Sequence, residues 1–214
     1  MNSIIIWGAG GHAKVVAQSI RRAGVWQVEG HLDDQDPGRA GEAFCGSRVL
    51  GGREMLASLQ RRGIEAMVLA FGHNFARLAL WRELAALGWQ FPSVVDAHAV
   101  VADDVRIGAG SYLAAGAVVQ PGAHIGAQVI VNTAASVDHD GQIGDGVHLA
   151  PRCCLAGHVT VGRGTFIGAG SVVRDRVRIG AGSTIGAGSL VLADLPDDVV
   201  AFGHPARVTA GGGR

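Results

Sequence analysis

This 214-residue sequence has no excess of either charge: 18 lysines and arginines face 18 acids. That balance removes the electrostatic footprint of a nucleic-acid or anionic-membrane partner. Cysteine is scarce; its three copies, two of them adjacent (Cys153, Cys154), make no disulfide framework and point to a reducing compartment. No apolar run approaches the roughly 18 residues of a membrane span. The opening Met-Asn-Ser-Ile-Ile-Ile-Trp-Gly-Ala-Gly carries no basic leader and no cleavage site. These absences predict a soluble, cytoplasmic protein. Glycine, by contrast, is abundant at 34 residues, but it has no collagen period, and 48% hydrophobic content is too high for disorder.

The aromatic residues divide the chain. Eight of the eleven lie at or before Phe91, and Phe91-Pro92-Ser93 marks a boundary near residue 92. The first half alternates strand and helix signals. Ile4 to Trp7 reads as a buried strand and Gly8 to Gly11 as a turn. His12 to Ala23 reads as a helix with Val15, Val16 and Ile20 on one face, and Val28 to Leu32 as a second strand. A helix over Arg53–Arg62, a strand over Ala66–Phe71 and a helix over Phe75–Leu87 follow. Such alternation predicts a short, Rossmann-like parallel βαβαβ sheet in residues 1–92.

The second half has a period of six. From Val95 to Val191, seventeen successive sixth residues are Val, Ile or Leu without an insertion, and glycine commonly follows, as at Gly108, Gly126 and Gly144. A six-residue repeat is the mark of a parallel β-helix. Residues 93–214 resemble the hexapeptide family of left-handed β-helices, in which three hexapeptides complete a triangular coil; about five coils are implied.

Gly8-Ala9-Gly10-Gly11-His12-Ala13 fits G-x-G-x-x-A between a strand and a helix, and Asp33 and Asp34 stand at the spacing of a ribose-binding acid. About 90 residues supply only one of the two halves of a dinucleotide fold, so NAD is not the expected ligand. Amides at a helix start still favour a phosphate. A mononucleotide or nucleotide-sugar site is predicted, although a tight strand-to-helix turn without a ligand would use the same residues.

Taken together, the halves resemble the sugar O-/N-acyltransferases of the sialic acid O-acetyltransferase type. The nearest branch acetylates 4-amino nucleotide sugars. The resemblance rests on Trp7 to Val16, Leu32-Asp33-Asp34, Phe71-Gly72-His73-Asn74 with Arg77, Asn132 to Asp140, and Phe202 to Arg207. It implies that His139 is the catalytic base, with Asp140 as orienting partner where relatives often carry Glu, and Asp138 as the alternative. It places His148 near the acetyl group of acetyl-CoA and turns the Gly157 amide toward the thioester carbonyl. It assigns Gly10, Gly11, His12, Asp33, Asp34, His73 and Asn74 to the nucleotide sugar. The repeat independently links two of these residues: Gly157 follows His139 by 18 residues, one coil along, where stacked strands lie about 4.8 Å apart. His148 is half a coil away around the prism, and a subunit interface is one route by which it would reach the same site.

The remaining motifs have plainer readings. An amine attacking a thioester needs a base and no covalent cysteine, so Cys153 and Cys154 are read as packing. His98, His124, His158 and His204 are read as surface or turn residues. No H-E-x-x-H, C-x-x-C or histidine pair at ligand spacing predicts a metal site. Arg174 to Arg178 forms a solvated rim or meets CoA phosphates.

The expected activity is acetyl-CoA-dependent N-acetylation of a nucleotide-linked amino sugar, a 4-amino-4,6-dideoxy sugar by resemblance. O-acetylation of sialic acid or a related sugar is the rival within the same fold. A non-catalytic nucleotide-sugar scaffold is the rival from another class. Small residues at Ala114, Ala115, Ala117, Ala134, Ala135, Ala169 and Ala187 are read as outward-facing positions that suit packing of prism on prism. The resemblance makes that assembly a homotrimer.

Overall fold

Three consecutive isoleucines open the molecule, and all of Ile4, Ile5 and Ile6 are fully buried. A strand buried on both faces belongs at the centre of a parallel sheet. Accordingly β1 (Asn2–Trp7) pairs in parallel with β2 (Trp26–Leu32) on one side and β5 (Ala66–Leu69) on the other. The computed structural model describes residues 2–209; Met1 and residues 210–214, the outer ends of the two expected domains, lie outside them. Helix α1 (Gly11–Ala23) covers the sheet with Ala13, Val16, Ala17 and Ile20 buried. That i, i+3, i+4, i+7 stripe leaves Val15 42% exposed, which corrects its expected place on the inner face. Gly24 closes the helix in the left-handed region, its N–H bonded to the Ile20 carbonyl.

Two further strands escaped the sequence reading. A tight hairpin of β3 (Ala43–Phe44) and β4 (Ser47–Gly51) extends the sheet to the order β3-β4-β2-β1-β5. The helix expected from Arg53 to Arg62 is a 3-10 turn over Arg53–Met55 leading into α2 (Leu56–Arg61). Helix α3 (Asn74–Ala86) then leads to the second half.

From Val94–Val95 to Leu190–Val191 the chain makes a two-residue strand in every hexapeptide. Each strand pairs in parallel with the one 18 residues on, as Ser136 does with Cys154, so three hexapeptides complete a coil. This is the expected left-handed β-helix. The periodic aliphatics point inward, and from Leu113 to Val191 none is more than 1% exposed. Each fully buried Val, Ile or Leu contributes about 1.5–3 kcal/mol relative to exposure, so this column dominates the stability of the prism. A second period lies in the backbone: every sixth residue from Gly110 to Gly188 has positive φ. Glycine takes most of these corners, yet Gln128, Ala134, Asp140, Arg152, His158 and Arg176 also adopt the conformation. An antiparallel ribbon, Val200–Gly203 with Ala206–Val208, closes the last coil.

The residue before each inward aliphatic points outward, and the three faces differ. One face presents Val94, Tyr112 and Ile130, which share a core with Ala13, Val16 and Ile20 of α1. The second presents Arg106, His124, Gln142, Thr160 and Arg178. The third presents Val100, Val118, Ser136, Cys154, Val172 and Leu190, with Val100 63% and Val172 42% exposed. Of the alanines expected to face outward, Ala117 and Ala135 belong to the prism core and Ala114 packs under the first domain. Valine and leucine on the third face, rather than those alanines, make the open apolar surface.

Polar contacts lock the junction between the halves. Buried Arg77 donates to the carbonyls of Phe71, Gln128 and Gly146 at 3.0 Å and to Asn74 Oδ1 at 3.2 Å. Burial pulls its pKa down to about 10. Asp96, at the start of the prism, accepts from Ser19 at 2.6 Å and from Arg22 at 2.7 Å. Burial alone would raise its pKa, but these bonds and those from His98 outweigh that and hold it at about 2.

Candidate functional site

The turn after strand Ser136–Val137 carries Asp138, His139 and Asp140 at a corner of the prism, before strand Gln142–Ile143. Asp140 sits at one of the left-handed corners, φ 60°, and its N–H bonds the Pro121 carbonyl at 3.0 Å. That conformation turns its carboxylate back onto its neighbour: Asp140 Oδ2 lies 2.9 Å from His139 Nδ1. The shorter acid therefore reaches the imidazole. Asp138 instead accepts the His139 backbone N–H at 2.7 Å, which leaves it off the ring. The bond to Asp140, helped by the charges of Asp138 and Asp140 against partial burial and Arg176, raises the His139 pKa above its ordinary 6.5. The same bond lowers that of Asp140.

With Nδ1–H given to the carboxylate, Nε2 is left with a free lone pair. It faces Gly157. A Cβ built on Gly157 would lie 2.5 Å from Nε2 and 2.6 Å from Cε1, so the glycine is what leaves room beside the ring. The one-coil relation read from the repeat thus appears as a contact.

A cleft of about 730 Å³ opens on the first domain, and Gly10, Gly11, His12, Asp33, Asp34 and His73 all line it. The glycines divide into two kinds. Gly8 has φ 127° and a Cβ there would meet the Ala70 carbonyl at 2.8 Å, whereas Gly10 and Gly11 have nothing within 4 Å of a Cβ. The fold requires Gly8; Gly10 and Gly11 leave the helix start bare. Gly10→Val is therefore expected to weaken nucleotide-sugar binding, with acetyl-CoA affinity and melting temperature near wild type. Calorimetry with each ligand checks this, and equal loss of both affinities would contradict the expectation that the two ligands bind different domains.

Asn74 is placed differently from the six expected residues that line the cleft. Its amide donates to the carbonyls of Gly164 and Thr165 at 3.0 and 3.1 Å and its oxygen accepts from Arg77. The side chain fastens the domains together and does not line the cleft. His73 Nδ1 accepts from the Ala76 N–H and caps α3. Two charged lining residues, Arg39 and Arg53, were not anticipated. Arg39 bonds Asp33 at 3.0 Å and the Ala9 carbonyl at 2.9 Å; Arg53 lies 3.6 Å from Asp34 and over the Trp7 ring. Arg39 occupies a segment without periodicity and Arg53 opens the expected Arg53–Arg62 helix, and in both places only the charge marks the residue.

His148 is placed apart from His139 in the chain. It lies on the face covered by the first domain, with its ring 6.4 Å from that of His12. Burial first, then the Arg77 charge, lowers both imidazoles to pKa about 4, so both are neutral. Asn132 Nδ2 lies 3.1 Å from His148 Nε2, which puts the ring proton on Nδ1. Among the described residues, that atom and His12 Nε2, both buried, have no hydrogen-bond partner. Cys153 is buried against the Ile167 and Gly168 carbonyls, its thiol pushed up to about 12 mainly by burial, which suits packing and not nucleophilic attack. Cys154 lies exposed on the third face.

Residues 3–84 match the PglD N-terminal domain, and residues 140–175 and 158–193 match the bacterial transferase hexapeptide (six repeats). Among solved structures, the acetyltransferase domain of PglB from Neisseria gonorrhoeae FA1090 is 34% identical over 98% of this chain and 100% of its own, with TM-score 0.91. The chain belongs to the hexapeptide-repeat sugar acetyltransferases. PerB from Caulobacter crescentus, solved in complex with CoA and GDP-perosamine, is 38% identical over 98% of both chains, TM-score 0.93. WeeI from Acinetobacter baumannii AYE is 27% identical over 98% of this chain and 100% of its own, TM-score 0.87. Among curated proteins, none matches. The same Neisseria domain solved in complex with acetyl coenzyme A is 36% identical over 98% of this chain, and among the described residues of this acetyltransferase no helix is long and apolar enough to cross a membrane.

Proposed function

We propose that this acetyltransferase moves the acetyl group of acetyl-CoA onto the amine of a nucleotide-linked amino sugar, with a 4-amino-4,6-dideoxy sugar as acceptor. The observation that carries the reading is the His139–Asp140 pair at 2.9 Å with Nε2 free beside Gly157. The amine attacks the thioester carbonyl while Nε2 takes its proton. Asp140 holds the tautomer and stabilises the imidazolium. The Gly157 N–H stabilises the oxyanion, and collapse of the tetrahedral intermediate expels the CoA thiolate. Residues 1–92 hold the nucleotide, its phosphates at Gly10 and Gly11 and its sugar toward neutral His12. The complex of the 38% identical PerB with GDP-perosamine favours a GDP-linked amine over free sialic acid. The test is CoA release against UDP-, GDP- and dTDP-linked 4-amino sugars and sialic acid. Turnover confined to sialic acid would overturn the reading in favour of O-acetylation, and turnover of none in favour of a scaffold.

One chain does not bring the pieces together: the nucleotide cleft includes no residue of the His139 corner. We infer that a cyclic homotrimer does. The His139 turn borders the open apolar face of Val100, Val118 and Val172, and closed symmetry is the usual way identical chains cover such a face. His139 of one chain then meets His148 and the cleft of its neighbour. Light scattering is expected to give three times 21.9 kDa. Mixing inactive His139→Ala and His148→Ala chains is expected to restore about a quarter of the sites under random assembly. A fully active monomer would refute the trimer; no recovery on mixing would place both histidines in one chain's contribution.

A further inference from the structure

His158 follows Asp140 by 18 residues and so takes the same corner one coil on, with φ 58° against 60°. Its Nε2 lies 3.6 Å from Asp140 Oδ2, whose other neighbour is His139 Nδ1 at 2.9 Å. The two imidazoles stand edge to face with centroids 5.0 Å apart. Among the described residues these three are the one group of histidine, cysteine or acid side chains whose donor atoms all lie within 4.8 Å of one another, and all three are exposed. Two imidazole nitrogens and one carboxylate oxygen form a donor set that suits zinc, at about 2.0–2.2 Å from the metal. Tetrahedral geometry at those lengths sets donors roughly 3.3 Å apart, a value that the 2.9 and 3.6 Å separations to Asp140 Oδ2 bracket.

We propose that His139, Asp140 and His158 bind a transition-metal cation of the zinc type, and that binding switches the acetyltransferase off. The switch rests on His139 being the base; the binding does not. In the working tautomer the ring proton sits on Nδ1 and Nε2 holds the lone pair. The cation takes the Nδ1 lone pair, the ring proton moves through solvent to Nε2, and the Asp140 oxygen exchanges its hydrogen bond for a bond to the metal. No electron is transferred, and the neutral ring releases no net proton. Nε2 then presents an N–H toward Gly157 and cannot accept the amine's proton. Magnesium prefers six oxygen ligands and is excluded by the same donor set.

The test uses the full chain, titrated with Zn²⁺ by calorimetry and with Co²⁺ by visible absorption. His158→Asn is the variant, because asparagine tolerates the left-handed corner. One zinc per chain is expected in the wild type, with affinity at least about tenfold weaker in the variant. Half-inhibition, reversed by EDTA and referred to each protein's own metal-free rate, is expected to shift by the same factor. The wild-type Co²⁺ spectrum is expected to lack thiolate charge transfer. Equal zinc affinity in the variant, equal binding of Mg²⁺, or a thiolate band would overturn the site. Zinc bound through His158 with turnover untouched would overturn the switch alone, while His139→Ala tests the base separately.

Discussion

Replacing His139 by alanine is expected to lower turnover about 10²–10⁴-fold, the range for losing a positioned general base, while the melting temperature stays near wild type. The ring is 54% exposed, and its contacts are to Asp140, His158 and Gly157 at the corner. No part of the inward aliphatic column depends on it. His139→Asn is expected to behave alike, since an amide keeps much of the shape but cannot take the proton. Turnover by CoA release, read beside thermal melts, separates chemistry from folding. Near wild-type turnover in a folded variant would remove His139 from the mechanism.

Gly157→Ala is expected to have the second largest effect. The added methyl would stand 2.5 Å from His139 Nε2, so the imidazole has to leave its place. Displacing a catalytic group by about 1 Å costs roughly 10²-fold. Gly157 is not among the residues of positive φ, so alanine leaves the corner itself unstrained, and stability is expected to change little. A crystal structure of the variant would show the ring swung away. Full activity with a displaced ring would mean that Nε2 does not face the reacting amine.

The aliphatic period made the prism legible before any coordinates, because a narrow interior accepts little besides Val, Ile and Leu in register. The glycine loop was legible for a similar reason: a Cβ at Gly8 would meet the Ala70 carbonyl at 2.8 Å, so few residues fit there. What stayed hidden was hidden by linear reading. The hairpin Ala43–Phe44 and Ser47–Gly51 is too short to show alternation. Val15 and Val16 are indistinguishable as hydrophobes until the helix phase is fixed by Ala13 and Ala17. Asn74 belongs to a motif beside the cleft, yet Gly164, Thr165 and Arg77 use its side chain. His139 and His158 fail every short ligand-spacing search, since the step that joins them is one coil plus one residue. The left-handed corners were readable in principle, as glycine at 110, 116, 122 and 146 shares one phase of six, but glycine after the aliphatic drew attention to a different phase.

The 18-residue coil, seen in the pairing of Ser136 with Cys154, also decides which changes of length the chain can absorb. Removing one hexapeptide before His139 would turn every later residue by a third of a revolution and carry the His139 corner onto another face, while His139 and Gly157 kept their mutual contact. Removing three would return the corner to its own face, displaced along the axis by about 4.8 Å. A prism built this way treats sequence length as an angle. Insertions outside multiples of eighteen therefore have to loop out at a corner, or else lie beyond the last coil.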